Sequence, residues 1–114
     1  GLRVLEPHEL DRLLEEGLAR QAITWEERED VLRADLVARG RLRSGDRPAY
    51  LVVEVSATVG PGDVERAQRR ARRLEKVVGT TLAAVAGASV LPEAEHLAES
   101  LGVIRLKDGR LQGP

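Results

Sequence analysis

Apolar residues recur at Leu10, Leu13, Leu14 and Leu18, the i, i+3, i+4 spacing of one helical face, and predict an amphipathic helix over Pro7–Arg20. The stretch Ala22–Glu27 reads as a short edge strand. From Val31 to Leu42 apolar and polar residues alternate with the period of a strand, while Tyr50–Val55 is almost continuously apolar, as a central strand is. Between them Arg43-Ser44-Gly45-Asp46 supplies a four-residue hairpin turn. Past Gly60-Pro61-Gly62, where proline suits a first helical turn, Val64, Ala67, Ala71, Leu74 and Val78 form a second buried stripe that Gly79 ends. Thr80–Ala86 is the next buried strand, completing a β-α-β unit expected to be parallel and right-handed. Pro92–Leu101 predicts a helix closed by Gly102, Val103–Leu106 a last strand, and Lys107–Pro114 a frayed tail.

Two acids interrupt the strand pattern. Asp35 lies in VLRADLVARG and Glu54 in AYLVVEVS, and a carboxylate among Val, Leu and Ala needs a cation or hydrogen bonds to be stable there. In the register that the four-residue turn sets, Asp35 stands directly opposite Glu54, with Cβ atoms ~5 Å apart. Arg33, Val37, Val52 and Ser56 share that face. Two acids so placed suggest a metal site. Arg33, opposite Ser56, could equally neutralise both acids and leave no room for metal.

Length places all 114 residues in one domain. The absence of cysteine removes disulfides and thiolate metal sites. No apolar run approaches the ~20 residues that span a bilayer, and the first residues do not resemble a signal peptide, so a cytoplasmic protein without a membrane partner is the expectation. The chain starts at Gly1 rather than methionine, and an N-terminal portion missing from it could carry further specificity. A net charge of -1 argues against a uniformly basic nucleic-acid binder, yet Asp63–Lys76 holds five arginines and one lysine against three acids. Arg66, Arg69, Arg70, Arg72 and Arg73 lie opposite the apolar stripe of their helix, ordinary for a solvated face and also suited to gripping phosphates. With only Trp25 and Tyr50 as aromatics, base stacking has little support.

The order α-β-β-β-α-β, with an acid on the second strand, an acid on the third and a basic helix after them, resembles the PD-(D/E)XK, or restriction-endonuclease-like, superfamily. The run EVSATVGPGDVERAQRRARRL, preceded by RADLVARGR, is similar to uncharacterised prokaryotic proteins within it. The resemblance covers roughly residues 8 to 106. It implies an α/β fold with a mixed sheet flanked by helices, and a Mg²⁺ or Mn²⁺ ion held by Asp35 and Glu54. It further implies a nucleic-acid substrate contacted by Arg33, Arg66, Arg69, Arg70 and Arg73, with pairing into homodimers common. Ser56 stands where the family has a catalytic lysine. Serine can orient water or phosphate but brings no charge, so a cation must come from Arg33, Arg66 or Arg70. Glu15 or Glu16 would complete the metal shell if a first-helix acid takes part.

Two functions follow as expectations. One is a divalent-metal-dependent nuclease, weak or degenerate, with Asp35, Glu54 and Ser56 as its catalytic residues. The other is a non-catalytic module that keeps the fold to bind nucleic acid or protein. His8 and His96 lack ligand-spaced partners and Ser56 has no nearby histidine in sequence, which disfavours zinc and serine-hydrolase chemistry.

Overall fold

The computed structural model describes residues 1–43 and 45–113. In chain order the elements are β1 (Arg3–Val4), α1 (Pro7–Ala19), α2 (Trp25–Leu32), β2 (Leu36–Arg41), β3 (Pro48–Val55), β4 (Thr58–Val59), α3 (Pro61–Val78), β5 (Thr81–Gly87), β6 (Ser89–Val90), α4 (Pro92–Leu101), β7 (Ile104–Lys107) and β8 (Arg110–Gln112). Six strands form one mixed sheet in the order β1-β2-β3-β5-β7-β8, and β4 and β6 form a separate short parallel pair. The β1-β2, β2-β3 and β7-β8 pairs are antiparallel, and β3-β5 and β5-β7 are parallel. The chain is an α/β protein whose sheet is flanked by four helices.

The hairpin register is the predicted one, with Leu36 opposite Val53 and Val37 opposite Val52. The Leu42 N–H donates to the Arg47 carbonyl at 2.9 Å where the turn leaves the ladder. Ser44, in that turn, lies outside the described residues. The β3-α3-β5 unit is parallel as expected, and Pro92–Leu101 matches α4.

Three expectations fail. Ala22–Glu27 is not an edge strand, because Thr24 caps a helix: its hydroxyl accepts from the Glu27 N–H at 3.1 Å while the Glu27 carboxylate accepts from the Thr24 N–H at 3.0 Å. That reciprocal box overrides the weak strand propensity of the segment. In consequence Val31 and Leu32 end α2, and the strand expected from Val31 starts only at Leu36. The tail is not frayed over 110–112, since β8 turns back at Asp108-Gly109 and pairs with β7. The edge strand comes instead from Arg3–Val4, ahead of the first helix.

One side of the sheet meets the helices. Val37, Val52, Ala83, Val85 and Val103 pack there with Leu10 and Leu14 of α1, Val31 of α2, Val64, Ala67, Ala71 and Leu74 of α3, and Ala94 and Ala98 of α4. On the other side Val53, Ala84 and Ile104 gather Leu36, Leu51, Leu82 and Ala86, a cluster of strand residues alone. Where β3 leaves the sheet the strands come too close for any side chain at Gly87. A Cβ there would sit 2.2 Å from the Ser56 carbonyl oxygen.

Candidate functional site

Glu54 projects from β3 toward the helices and is only 4% exposed. Arg70 meets it from the middle of α3, itself 7% exposed, donating from Nη1 to Glu54 Oε1 at 2.7 Å. The same guanidinium donates from Nε to Asp30 Oδ1 at 3.1 Å and from Nη1 to the Arg33 carbonyl at 3.3 Å. Arg70 therefore ties the end of α2 to the centre of the sheet.

Asp30 collects two further cations. Arg69 reaches both of its oxygens at 3.0 Å, a bidentate fork, and Arg73 Nη1 reaches Oδ2 at 3.0 Å. Arg73 and Lys76 also approach Glu27, at 4.0 and 2.6 Å, which extends the network along α3. Arg66 stands 3.9 Å from Glu54 Oε1 and pairs with Asp63, whose other oxygen caps α3 by accepting from the Gly60 N–H at 2.9 Å.

Asp35 lies in the bend just before β2, one residue ahead of the first ladder pair, Leu36 with Val53. Its Oδ2 accepts from the Val55 N–H at 2.8 Å, and its own N–H points to Glu54 Oε2 at 3.4 Å. Each acid thus has one oxygen fixed by a strong donor. Glu54 Oε2 keeps only the long contact to Asp35, and among the described residues no protein donor reaches Asp35 Oδ1.

The electrostatics of the two buried acids diverge. Burial pushes Glu54 up from the ordinary carboxylate value, against the charge and hydrogen bond of Arg70, and the nearby Asp35 charge adds to the rise. Burial also pushes Asp30 up, but hydrogen bonds and charges from Arg69 and Arg70 outweigh it and hold the carboxyl at about 2. Asp30 is the permanently charged hub. Glu54 holds its proton more readily.

The predicted residues are partly reunited. Asp35 and Glu54 meet as the register required. Arg33 does not lie opposite Ser56, because it caps the C-terminus of α2, where its carbonyl rather than its guanidinium meets the site. The Ser56 hydroxyl donates to the Thr58 carbonyl at 2.9 Å and closes a turn. Glu15 binds Arg28 at 2.9 Å as part of another surface cluster. Among the described residues no group of three His, Cys, Asp or Glu side chains converges as a metal cage. Sequence reasoning missed Asp30, which looks like one more acid in a charged helix. The available signal was the TWEE capping box, which places a helix there and turns Asp30 toward α3.

Compared with models of known protein families, with curated proteins and with solved structures, the chain finds no match.

Proposed function

We propose that this protein is a divalent-metal-dependent nuclease of restriction-endonuclease-like type, with Asp35 and Glu54 as its metal-holding acids. The observation that carries the reading is the Asp35–Glu54 pair, Asp35 in the bend ahead of β2 and Glu54 on β3, with an oxygen of each held in place and Arg70 fixed on Glu54. A hard cation such as Mg²⁺ or Mn²⁺ suits this donor set, since one or two carboxylates with water and substrate phosphate is its usual shell. Asp35 Oδ1 and Glu54 Oε2 are the atoms that would hold it. When bound, the ion would supply charge to the phosphate and acidify water.

The chain's own residues do the rest. Arg70, in place of a lysine, keeps a permanent positive charge at the acid pair, which favours a trigonal-bipyramidal phosphate but cannot accept a proton. Arg66, with a side chain 43% exposed, is the arginine beside Glu54 with most freedom to meet a phosphate. Arg69 and Arg73 are committed to Asp30 and shape the charge of the groove bounded by Trp25 and Arg33. Ser56, held to Thr58, positions the strand end.

A second reading has its own support. The 2.7 Å contact of Arg70 with Glu54 already balances that acid, which suits a module that binds a nucleic-acid backbone without cutting it. Calorimetry with Mn²⁺ separates the two. Saturable binding by the folded chain, lost in Asp35→Ala, with Mn²⁺-dependent cleavage of a plasmid or oligonucleotide lost in the same variant, supports the nuclease. A folded chain that takes up no Mn²⁺ yet binds oligonucleotides, more weakly after Arg66→Ala, overturns the nuclease in favour of the binding module.

A further inference from the structure

The basic residues fall into two populations. On α3 each of them, from Arg66 to Lys76, lies within 4.0 Å of a carboxylate. At the hairpin end of the sheet the balance is different. Arg3 on β1 stands directly opposite Arg39 on β2, and Tyr50 on β3 continues the row. Like charges set opposite one another across strands repel. One carboxylate answers the pair: Glu9 of α1 accepts from Arg3 Nη1 at 2.8 Å, and the same oxygen accepts from the Glu6 N–H at 2.9 Å, which fixes Arg3 in place. Among the described residues no carboxylate comes within 4.0 Å of exposed Arg39, or of Arg12, one turn along α1 from Glu9. Two adjoining clefts of about 160 and 330 Å³ share Arg3 and Arg39 as a wall. The smaller adds Arg12, Leu5, Leu13 and Tyr50. The larger adds Arg41, which reaches the Asp46 carbonyl at 2.9 Å and its carboxylate at 3.8 Å. Four arginines against Glu9 and Asp46 leave a surplus of two positive charges among the residues that line the clefts or pair with them.

We propose that these clefts bind a small phosphate monoester of nucleotide size, its phosphate between Arg3 and Arg39 and its uncharged part over Leu5 and Leu13 beside Tyr50. The chemistry selects the group. A phosphate dianion matches the surplus of two charges, and its three terminal oxygens accept forks from Arg3 and Arg39 together with a donor from Arg12 or Arg41, where a carboxylate has oxygens for one fork. The Tyr50 hydroxyl, without a hydrogen-bond partner among the described residues, lines the same cleft and can donate to the ester. A bound dianion also removes the repulsion between Arg3 and Arg39. The apolar patch of Leu5 and Leu13 gives the ester a resting place that a nucleic-acid backbone, a row of singly charged diesters, would not use. The site is separate from the acid pair: Arg39 is four residues along the chain from Asp35, about 13 Å in extended backbone, so the proposal does not rest on the nuclease reading.

Calorimetry on the whole chain with AMP, inorganic phosphate and adenosine tests this. AMP is expected to bind one to one, inorganic phosphate to compete with it, and adenosine to bind far more weakly. Arg39→Gln, at an exposed position with no carboxylate partner, raises the Kd for AMP about tenfold or more while far-UV dichroism is unchanged. If that change disturbs the sheet, Arg12→Gln on α1 raises the Kd by a smaller factor in a folded chain. Arg66→Ala, on α3, leaves AMP binding as it is, which separates this site from the acid pair. AMP also raises the thermal unfolding midpoint of the unmodified chain and not that of Arg39→Gln. A chain that does not bind AMP overturns the proposal, whether or not an oligonucleotide without a terminal phosphate binds through Arg39. So does AMP binding that Arg39→Gln leaves intact, or adenosine binding as tight as that of AMP.

Discussion

The two sides of the sheet solve opposite problems. On the helix side the strands bring Glu54 and Arg105 inside, and the structure answers each with opposite charge: Arg70 bridges Glu54 and Asp30, Arg69 and Arg73 complete Asp30, and Glu95 meets Arg105 at 3.2 Å. On the other side no group needs a partner, so nothing is specified beyond an apolar surface, and strands alone form the cluster. The contrast runs residue by residue along β3, where Val52 and Glu54 face the helices while Leu51, Val53 and Val55 face outward. Charge concentrated on one side gives that side a unique geometry. Its absence on the other leaves a surface defined by shape.

The sharpest way to break the contrast is at Arg70. Arg70→Met leaves Glu54 buried without its cation and removes one cation from Asp30, and the expected loss in urea unfolding is about 3–5 kcal/mol. Adding Glu54→Gln to Arg70→Met should recover part of that loss, because the uncompensated charge is gone. A loss below about 1 kcal/mol for Arg70→Met would show that water already solvates the pair.

Adjacent residues of β3 sharpen the comparison next. Val52 is fully buried beneath the helices, so Val52→Ala opens a cavity and costs about 2–3 kcal/mol at any protein concentration. Leu51→Ala acts on the open side. Its side chain is only partly buried, among strand residues alone, so its cost is smaller. Equal losses would erase the distinction between the faces.

The smallest effect is in acid. Asp30 is held at about 2 in the folded chain against an ordinary value of 3.8. Its contribution of about 2 kcal/mol is therefore complete above pH ~4 and lost as pH falls through ~2. Glu54 runs the other way, since its folded carboxyl takes a proton more readily than the unfolded one, so its ionisation weakens the fold as pH rises and the loss is recovered in acid. Unfolding midpoints from pH 6 to 2 should fall for the unmodified chain. For Asp30→Asn, less stable at neutral pH, the fall should be shallower, with Glu9 beside Arg3 and Glu27 beside Lys76, both held below the ordinary carboxylate value, still contributing to it.

Much of the frame was legible in residues that act through local chemistry. The hairpin register followed from the four-residue turn and placed Asp35 opposite Glu54. Pro61 and Pro92, in the first turns of α3 and α4, and Gly79 and Gly102 beyond their ends, at φ 86° and 70°, marked those helices. Failures came where two local signals competed. The alternation from Val31 onward resembled a strand, but the Thr24–Glu27 capping box carried a helix through Val31 and Leu32, which moved Arg33 off the sheet. The β8 hairpin was hidden because Arg110–Gln112 has almost nothing to bury and owes its order to pairing with β7.

By itself the sequence determined the periodicities, the turn and hence the acid pair, because these depend on spacing and on the conformational limits of proline and glycine. It also held the neutral alternate positions of every strand, which make the outer face apolar. Only the tertiary structure decided which cation answers which acid. Arg66, Arg69, Arg70, Arg72 and Arg73 are chemically identical side chains on one helix, and the choice of Arg70 for Glu54 rests on how α2, α3 and the sheet pack. That packing buries Arg70, leaves Arg66 at the solvent edge, and turns Asp30 from a surface acid into the centre of the network.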